Sequence, residues 1–149
     1  MKEDKITIVL YYSFTGTSRV QAEIIAKENG DCIVCEIKET KKRTMGTALL
    51  TGCPMARFRS ASKIEPIPYK LSDFDKIILV APVWNGYPAP AFNAMVEIVP
   101  RKKAVEIYLC SSGGETPKSK EGTCQLLTKR DCNVLGYHDI KTNKNMKDE

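Results

Sequence analysis

The sequence predicts an α/β fold, a doubly wound sheet of five parallel strands, on three observations. Five short runs rich in β-branched and aromatic residues alternate with segments of helical length. The first run, Ile6 to Tyr12, is almost continuously apolar, as a strand covered on both faces is. Loops unlike ordinary connectors follow the first, third and fourth runs, one rich in hydroxyls, one carrying Trp84 between prolines and one rich in Ser and Gly, where an open parallel sheet presents its ligand-binding edge.

Taken in order, Ile6 to Tyr12 is the first strand and Ser13 to Thr17 a short polar turn. Ser18 opens a helix, with Gln21 three residues on completing a capping box. Val20, Ala22, Ile24 and Ala26 supply its apolar face, and Gly30 stops it. Asp31 to Ile37 is the second strand. Met45 to Phe58 reads as a helix weakened by Gly52 and Pro54, and Ile64 to Tyr69 as an extended loop. Lys76 to Ala81 is the third strand, Pro82 to Pro90 a loop, and Ala91 to Val99 a helix. The fourth strand spans Ala104 to Cys110, a helix covers about Lys118 to Arg130, and the fifth strand spans Val134 to Ile140. Residues 1–140 form one domain and 141–149 a polar tail. Right-handed crossovers place helices on both faces of the sheet.

Composition narrows the function. The chain has 149 residues, 42% hydrophobic and 28% charged, enough for one domain with a real core. No apolar run approaches a membrane span, and the N-terminal run ends in Ser-Phe-Thr-Gly rather than at a cleavage site. A cytoplasmic protein with reduced thiols is therefore expected. Cys32 and Cys35 have redox spacing but lie within one strand, where residues three apart point to opposite faces. One histidine and scattered cysteines make no zinc pattern. His138, beside a strand terminus, reads as structural or solvated. The net charge of +5 favours anions, phosphates or an acidic partner, but no basic stripe interleaved with aromatics suggests nucleic acid.

The three loops carry the chemistry. Ser13, Phe14, Thr15, Gly16, Thr17 and Ser18 place four hydroxyls and a glycine between a buried strand and a helix N-terminus, which favours an anion. Neither G-x-x-x-x-G-K nor G-x-G-x-x-G is present. Pro82, Val83, Trp84, Asn85 and Gly86 offer the chain's one tryptophan as a flat apolar wall. Ser111, Ser112, Gly113 and Gly114 offer bare backbone. Each has a plainer reading alone: a capped turn, packing aromatics, a flexible connector. Together, on one edge of one sheet, they suit a phosphorylated planar cofactor.

These residues also carry a resemblance. Tyr11-Tyr12-Ser13-Phe14-Thr15-Gly16-Thr17-Ser18 resembles the FMN-phosphate loop of flavodoxins, and Ala81 to Ala91 resembles the P-V-W-x-G-x-P-x-P stretch of a branch of flavodoxin-like proteins. Ser112-Gly113-Gly114 stands where that branch has its third flavin loop. The resemblance spans residues 5–140. It implies strand order 2-1-3-4-5 with FMN at the switch point. It implies that Ser13, Thr15, Gly16, Thr17 and Ser18 hold the phosphate, that Pro82 to Gly86 flank the isoalloxazine with Trp84 in ring contact, and that Ser111 to Gly114 line its pyrimidine side. No side chain is an evident acid or base, so no catalytic residue is assigned.

Two features depart from that pattern. Electron-carrier flavodoxins are typically acidic and this chain is basic, which disfavours docking to basic partners. The final helix expected after the fifth strand is missing, since only nine polar and charged residues follow Ile140. A partly bare sheet face is then expected, covered in a homodimer or left by shortening of the chain. The reading is an FMN-binding redox protein, an electron carrier or a small flavin-dependent reductase, meeting a redox partner protein, NAD(P)H or a small substrate. The alternative is a flavin-free interaction module on the same fold. A receiver domain of similar topology lacks its acidic metal cluster here.

Overall fold

A computed structural model describes residues 6–30 and 32–142. Five parallel strands form the sheet: β1 (Thr7–Tyr11), β2 (Ile33–Glu36), β3 (Lys76–Trp84), β5 (Ala104–Ser111) and β6 (Asn133–Lys141). They lie in the order β2-β1-β3-β5-β6, and a two-residue strand β4 (Tyr87–Pro88) pairs antiparallel with the end of β3. Without that short strand the order is the expected 2-1-3-4-5. The direction of winding reverses between β1 and β3, so the switch point lies there.

Ile8, Val9 and Leu10 of β1 and Ile77, Ile78, Leu79 and Val80 of β3 are fully buried, as strands covered on both faces must be. On one face, Val9, Tyr11, Ile78, Val80 and Cys110 pack under α1 (Thr17–Glu28). On the other, Ile8, Leu10, Ile77, Leu79, Ile107 and Leu109 meet Phe92 and Met95 of α4 (Pro90–Ile98) and Leu127 of α5 (Lys120–Thr128). Pro90 starts α4, where its missing N–H costs nothing. Every residue from Pro90 to Val96 is buried, because this helix is covered on several sides.

The register of α1 differs from the expected one. Its buried positions are Ser18, Gln21, Ala22, Ile25 and Ala26, and Ile24 is 43% exposed. The helix begins one residue earlier than expected, on a left-handed Gly16 at φ 97°, without a side-chain cap, so no Ser18–Gln21 capping box forms. Small residues, not the largest apolar ones, allow close approach to the sheet.

The segment after β2 forms one helical rod: α2 (Met45–Thr47), a π-helical stretch (Ala48–Gly52) and α3 (Cys53–Arg57). Thr44 and Thr47 cap it reciprocally. Pro54 is accommodated in the first turn of α3. Cys32 packs on the α1 side of the sheet and Cys35 on the other, so their thiols diverge; all six cysteines are free.

The expected absence of a final helix falls almost entirely on residues 143–149, outside the described residues. Among the described residues the α1-side face over β5 and β6 carries polar side chains. Glu106 Oε1 accepts from Lys76 Nζ at 2.7 Å and Oε2 lies 2.7 Å from His138 Nε2. The His138 ring stacks on Tyr108 at 4.3 Å.

Candidate functional site at the ends of β1, β3 and β5

The parallel register brings three loops to one edge. Tyr11 pairs with Val80 and Pro82 pairs with Cys110, so β1, β3 and β5 finish side by side. The chain beyond each therefore leaves from the same rim.

In the first loop, Gly16 turns the chain into α1. Its amide donates to Ser13 Oγ at 2.9 Å, and the Thr15 and Thr17 hydroxyls lie 3.3 Å apart. Thr15 is exposed, and Ser13 and Thr17 are half-buried. Ser18 is 1% exposed, and its hydroxyl has no hydrogen-bond partner of ordinary geometry. It lies beside Cys110, whose thiol burial pushes up to about 11 while Ser18 opposes that shift. Sequence reasoning puts five residues around one anion; the fold sets Ser13, Thr15, Gly16 and Thr17 on the loop and turns Ser18 inward.

Residues 82–88 are a hairpin rather than an open loop. Pro82, Val83 and Trp84 extend β3, and Val83 and Trp84 pair with Pro88 and Tyr87. Asn85 and Gly86 have φ of 54° and 90°. Two consecutive left-handed residues make the tight turn that matches strand twist, and Asn-Gly is its strongest sequence signal. A Cβ on Gly86 would meet nothing within 4 Å, so the tip faces open space.

Trp84 joins the first loop to this hairpin. Its ring centroid lies 5.6 Å from Phe14 and 6.1 Å from Tyr12, both edge-on. The Arg43 guanidinium stands 5.6 Å over the indole. Arg43 Nε is 3.0 Å from Glu39 Oε1, and Glu39 in turn accepts from the Tyr12 hydroxyl at 2.6 Å. Burial and this acceptor raise the Tyr12 pKa well above its ordinary value, so the phenol keeps its proton. The ion pair is largely buried, at 11% and 6% side-chain exposure, which fixes the indole's surroundings.

In the third loop Gly114, at φ 75°, donates to Ser111 Oγ at 2.9 Å, the same device as Gly16 and Ser13. Ser112 and Gly113 are exposed, and a Cβ on Gly113 would meet nothing within 4 Å. The loop is tied down behind by buried Thr116, whose hydroxyl donates to Asp139 Oδ1 at 2.6 Å and also meets the Tyr137 hydroxyl.

No protein-family model matches the chain, and no curated protein matches it significantly. Solved structures do. A flavoprotein from Lactobacillus acidophilus, crystallised in complex with FMN, is 24% identical with a TM-score of 0.71, over 90% of this chain and 92% of that one. A candidate flavoprotein from Bacteroides eggerthii is 18% identical with a TM-score of 0.80, over 96% and 94%. A flavodoxin from Streptococcus pneumoniae is 10% identical with a TM-score of 0.53, over 95% and 89%. The fold is flavodoxin-like.

On this flavodoxin-like sheet the rim has the parts that a phosphorylated planar group needs. α1 starts without a side-chain cap, so its first amides are open to an anion. Gly86 and Gly113 leave room where a ring would lie. A cleft of about 570 Å³ opens between the first loop and residues 36–43, lined by Ser13, Phe14, Lys41 and Lys42 among others. It flanks the rim on the β2 side. Among the described residues no cluster of His, Cys, Asp or Glu could hold a metal, and no helix is long and apolar enough to cross a membrane.

Several residues of the rim escape a reading of motifs. Tyr12, Glu39 and Arg43 are ordinary residues until the fold stacks them on Trp84. Thr116 and Asp139 support the third loop across 23 residues of sequence. Only the Asn85-Gly86 dipeptide carried a local signal for its structure.

Proposed function

We propose that the chain binds one FMN non-covalently on this rim and works as a small redox protein, in a cytoplasmic setting where its free thiols stay reduced. The observation that carries the reading is the convergence of the three loops on one edge, with Phe14 against Trp84. The phosphate is held by the amides that open α1 with the hydroxyls of Ser13, Thr15 and Thr17. The ring lies between the Pro82–Gly86 hairpin and the Ser111–Gly114 loop. The likeness to a flavoprotein crystallised with FMN supports this choice of cofactor.

Bound FMN supplies reversible electron transfer; the protein supplies position and electrostatics. Ser13 and Ser111 hold their loops in shape by accepting the Gly16 and Gly114 amides. Trp84, clamped by Arg43, Tyr12 and Phe14, gives a preformed apolar wall. The Ser13–Ser18, Pro82–Gly86 and Ser111–Gly114 loops contribute no Asp, Glu, His, Lys or Arg, which suits electron transfer in which the protein's own groups need not ionise.

The same two serine–glycine contacts support a second reading. The Gly16 and Gly114 amides are satisfied without a ligand, as a flavin-free interaction module would require. The visible spectrum decides. The purified protein, or the protein titrated with FMN, is expected to show a flavin band and to quench free FMN fluorescence. A colourless protein that leaves added FMN fluorescence unchanged leaves only the interaction module. For a flavin-loaded protein, rapid direct bleaching by NAD(P)H identifies a reductase, and its absence a carrier.

A further inference from the structure

The helical rod of residues 45–57 is amphipathic in reverse. Its inward positions are Ala48, Gly52 and Ala56, spaced by four and all buried. Its large apolar side chains face outward: Met45 is 61% exposed, Leu49 63%, Leu50 78%, and Phe58 at its end 75%. An ordinary surface helix buries such residues. Several large apolar side chains exposed along one short helical segment of a folded domain mark an interaction surface.

The charge along the segment is one-sided, although Glu36 and Glu65 share the cleft of Lys41 and Lys42. Between residues 40 and 63 the sequence has six basic residues and no acidic one. Arg43 and Arg59 are engaged within the fold, Arg43 with Glu39 and Arg59 with Thr123 Oγ1 at 2.8 Å and the Ser119 carbonyl at 3.0 Å. Lys41, Lys42, Arg57 and Lys63 are exposed around the apolar ridge. An apolar centre containing Met and Phe with a charged rim is the anatomy of a protein interface. A membrane-surface helix instead lays a continuous apolar face opposite its charges. Here the opposite face is already spent on small residues packed against the protein.

We propose that this ridge docks an acidic electron-transfer protein, with Leu49, Leu50 and Phe58 at the centre and Lys41, Lys42 and Arg57 steering. The position supports this occupant, because Gly52 on the rod's inner side lies against Trp84 at the proposed flavin rim. The partner's redox character rests on the flavin reading; the docking itself does not.

The test uses the full chain, both FMN-loaded and FMN-free, with a labelled acidic [2Fe–2S] ferredoxin and a basic cytochrome c as probes. Fluorescence anisotropy is expected to report binding of the ferredoxin by both forms of the protein. That binding should weaken by about tenfold or more between low and physiological salt. Leu49→Ser with Leu50→Ser, or Lys41→Glu with Lys42→Glu, should each weaken it by about tenfold or more. The leucine pair lies on the rod's outer face, so its FMN affinity should stay within about twofold; the lysine pair, which lines the cleft beside the first loop, is compared in the FMN-free protein. Failure of the flavin reading removes the FMN signal but leaves ferredoxin binding by the FMN-free protein.

Four results overturn the proposal. The first is no ferredoxin binding, or binding that both pairs of substitutions leave unchanged. The second is tighter binding of cytochrome c than of ferredoxin. The third is co-sedimentation with phosphatidylserine vesicles that the leucine substitutions abolish, which assigns the ridge to a membrane. The fourth is a concentration-dependent dimer in sedimentation velocity that the same substitutions dissolve, which assigns it to a second copy.

Discussion

The α-carbon of Gly52 lies against the six-membered ring of Trp84, so closely that a Cβ built there would stand 2.5 Å from Cζ3 and 2.9 Å from Cε3. Gly52 has φ −68°, so spacing and not backbone conformation demands the glycine. Two effects compete in Gly52→Ala. Helix propensity favours alanine by up to about 1 kcal/mol. Overpacking costs about 1–3 kcal/mol, and the indole, held by Tyr12, Phe14 and Arg43, has little room to retreat. Net destabilisation is expected, with a shift of the single tryptophan's emission. Urea unfolding followed by that fluorescence measures both, and an unchanged emission maximum would refute the contact.

Glu39 accepts from Tyr12 and pairs with Arg43 where both side chains are nearly buried. Glu39→Ala leaves a guanidinium without its counter-charge, which costs about 3–5 kcal/mol. Arg43→Ala in the same chain should recover part of that loss, because the orphaned charge is then gone. Thermal unfolding of the two single variants and the double variant closes the cycle. Additive losses would show that the two residues do not interact.

Burial alone would raise the Glu106 pKa, but hydrogen bonds from Lys76 and His138 outweigh it and hold the carboxyl below its ordinary value. A depressed folded-state pKa stabilises the protein above the ordinary carboxylate range. That stability is lost as pH falls through the lower folded value. Glu106→Gln should therefore cost about 1.5–3 kcal/mol near neutral pH, the worth of hydrogen bonds to a charged group. The two proteins should converge in stability on acidification. Denaturant midpoints measured across the acid range test this, and parallel curves would contradict it.

Ser18→Ala removes a buried hydroxyl with no hydrogen-bond partner of ordinary geometry. Without FMN the variant should match or exceed the parent in stability by up to about 1 kcal/mol, since an unsatisfied buried group is a cost. Its FMN affinity should stay within about threefold, because the hydroxyl is turned toward Cys110 and away from the loop. Calorimetry of the FMN-free protein and fluorescence titration measure the two effects. A large loss of affinity would show that the side chain turns outward on binding.

The strands β1 and β3 were legible from sequence because both are covered on both faces, and such strands read as unbroken apolar runs; their order in the sheet was implied by the flavodoxin resemblance. The first and third loops were legible from their clustered hydroxyls and glycines, and the second from the one tryptophan set between prolines. The register of α1 was not. Val20 and Ile24 look like a core face, but the helix must lie close to the sheet, and Ser18, Ala22 and Ala26 permit that. The rod at 45–57 hid its orientation for the same reason, burying Ala48, Gly52 and Ala56 while Leu49 and Leu50 face out. Hydrophobicity predicts which residues can be inside; closeness of approach decides which are. The Asn85-Gly86 hairpin was misread as open loop because its partner strand is only two residues long.

Thr7 pairs with Lys76, so the middle of the sheet is assembled from segments far apart along the polypeptide. Until β3 arrives, the stretch Thr-Ile-Val-Leu-Tyr has one hydrogen-bonding edge open, with no charge and no proline within it. Such a segment is a ready template for pairing between molecules. Non-local parallel pairing is also slow. Nascent or refolding chains are thus most vulnerable to clumping while that edge waits, and dilution or a holding chaperone should raise the yield of soluble protein more than any change at the cofactor rim.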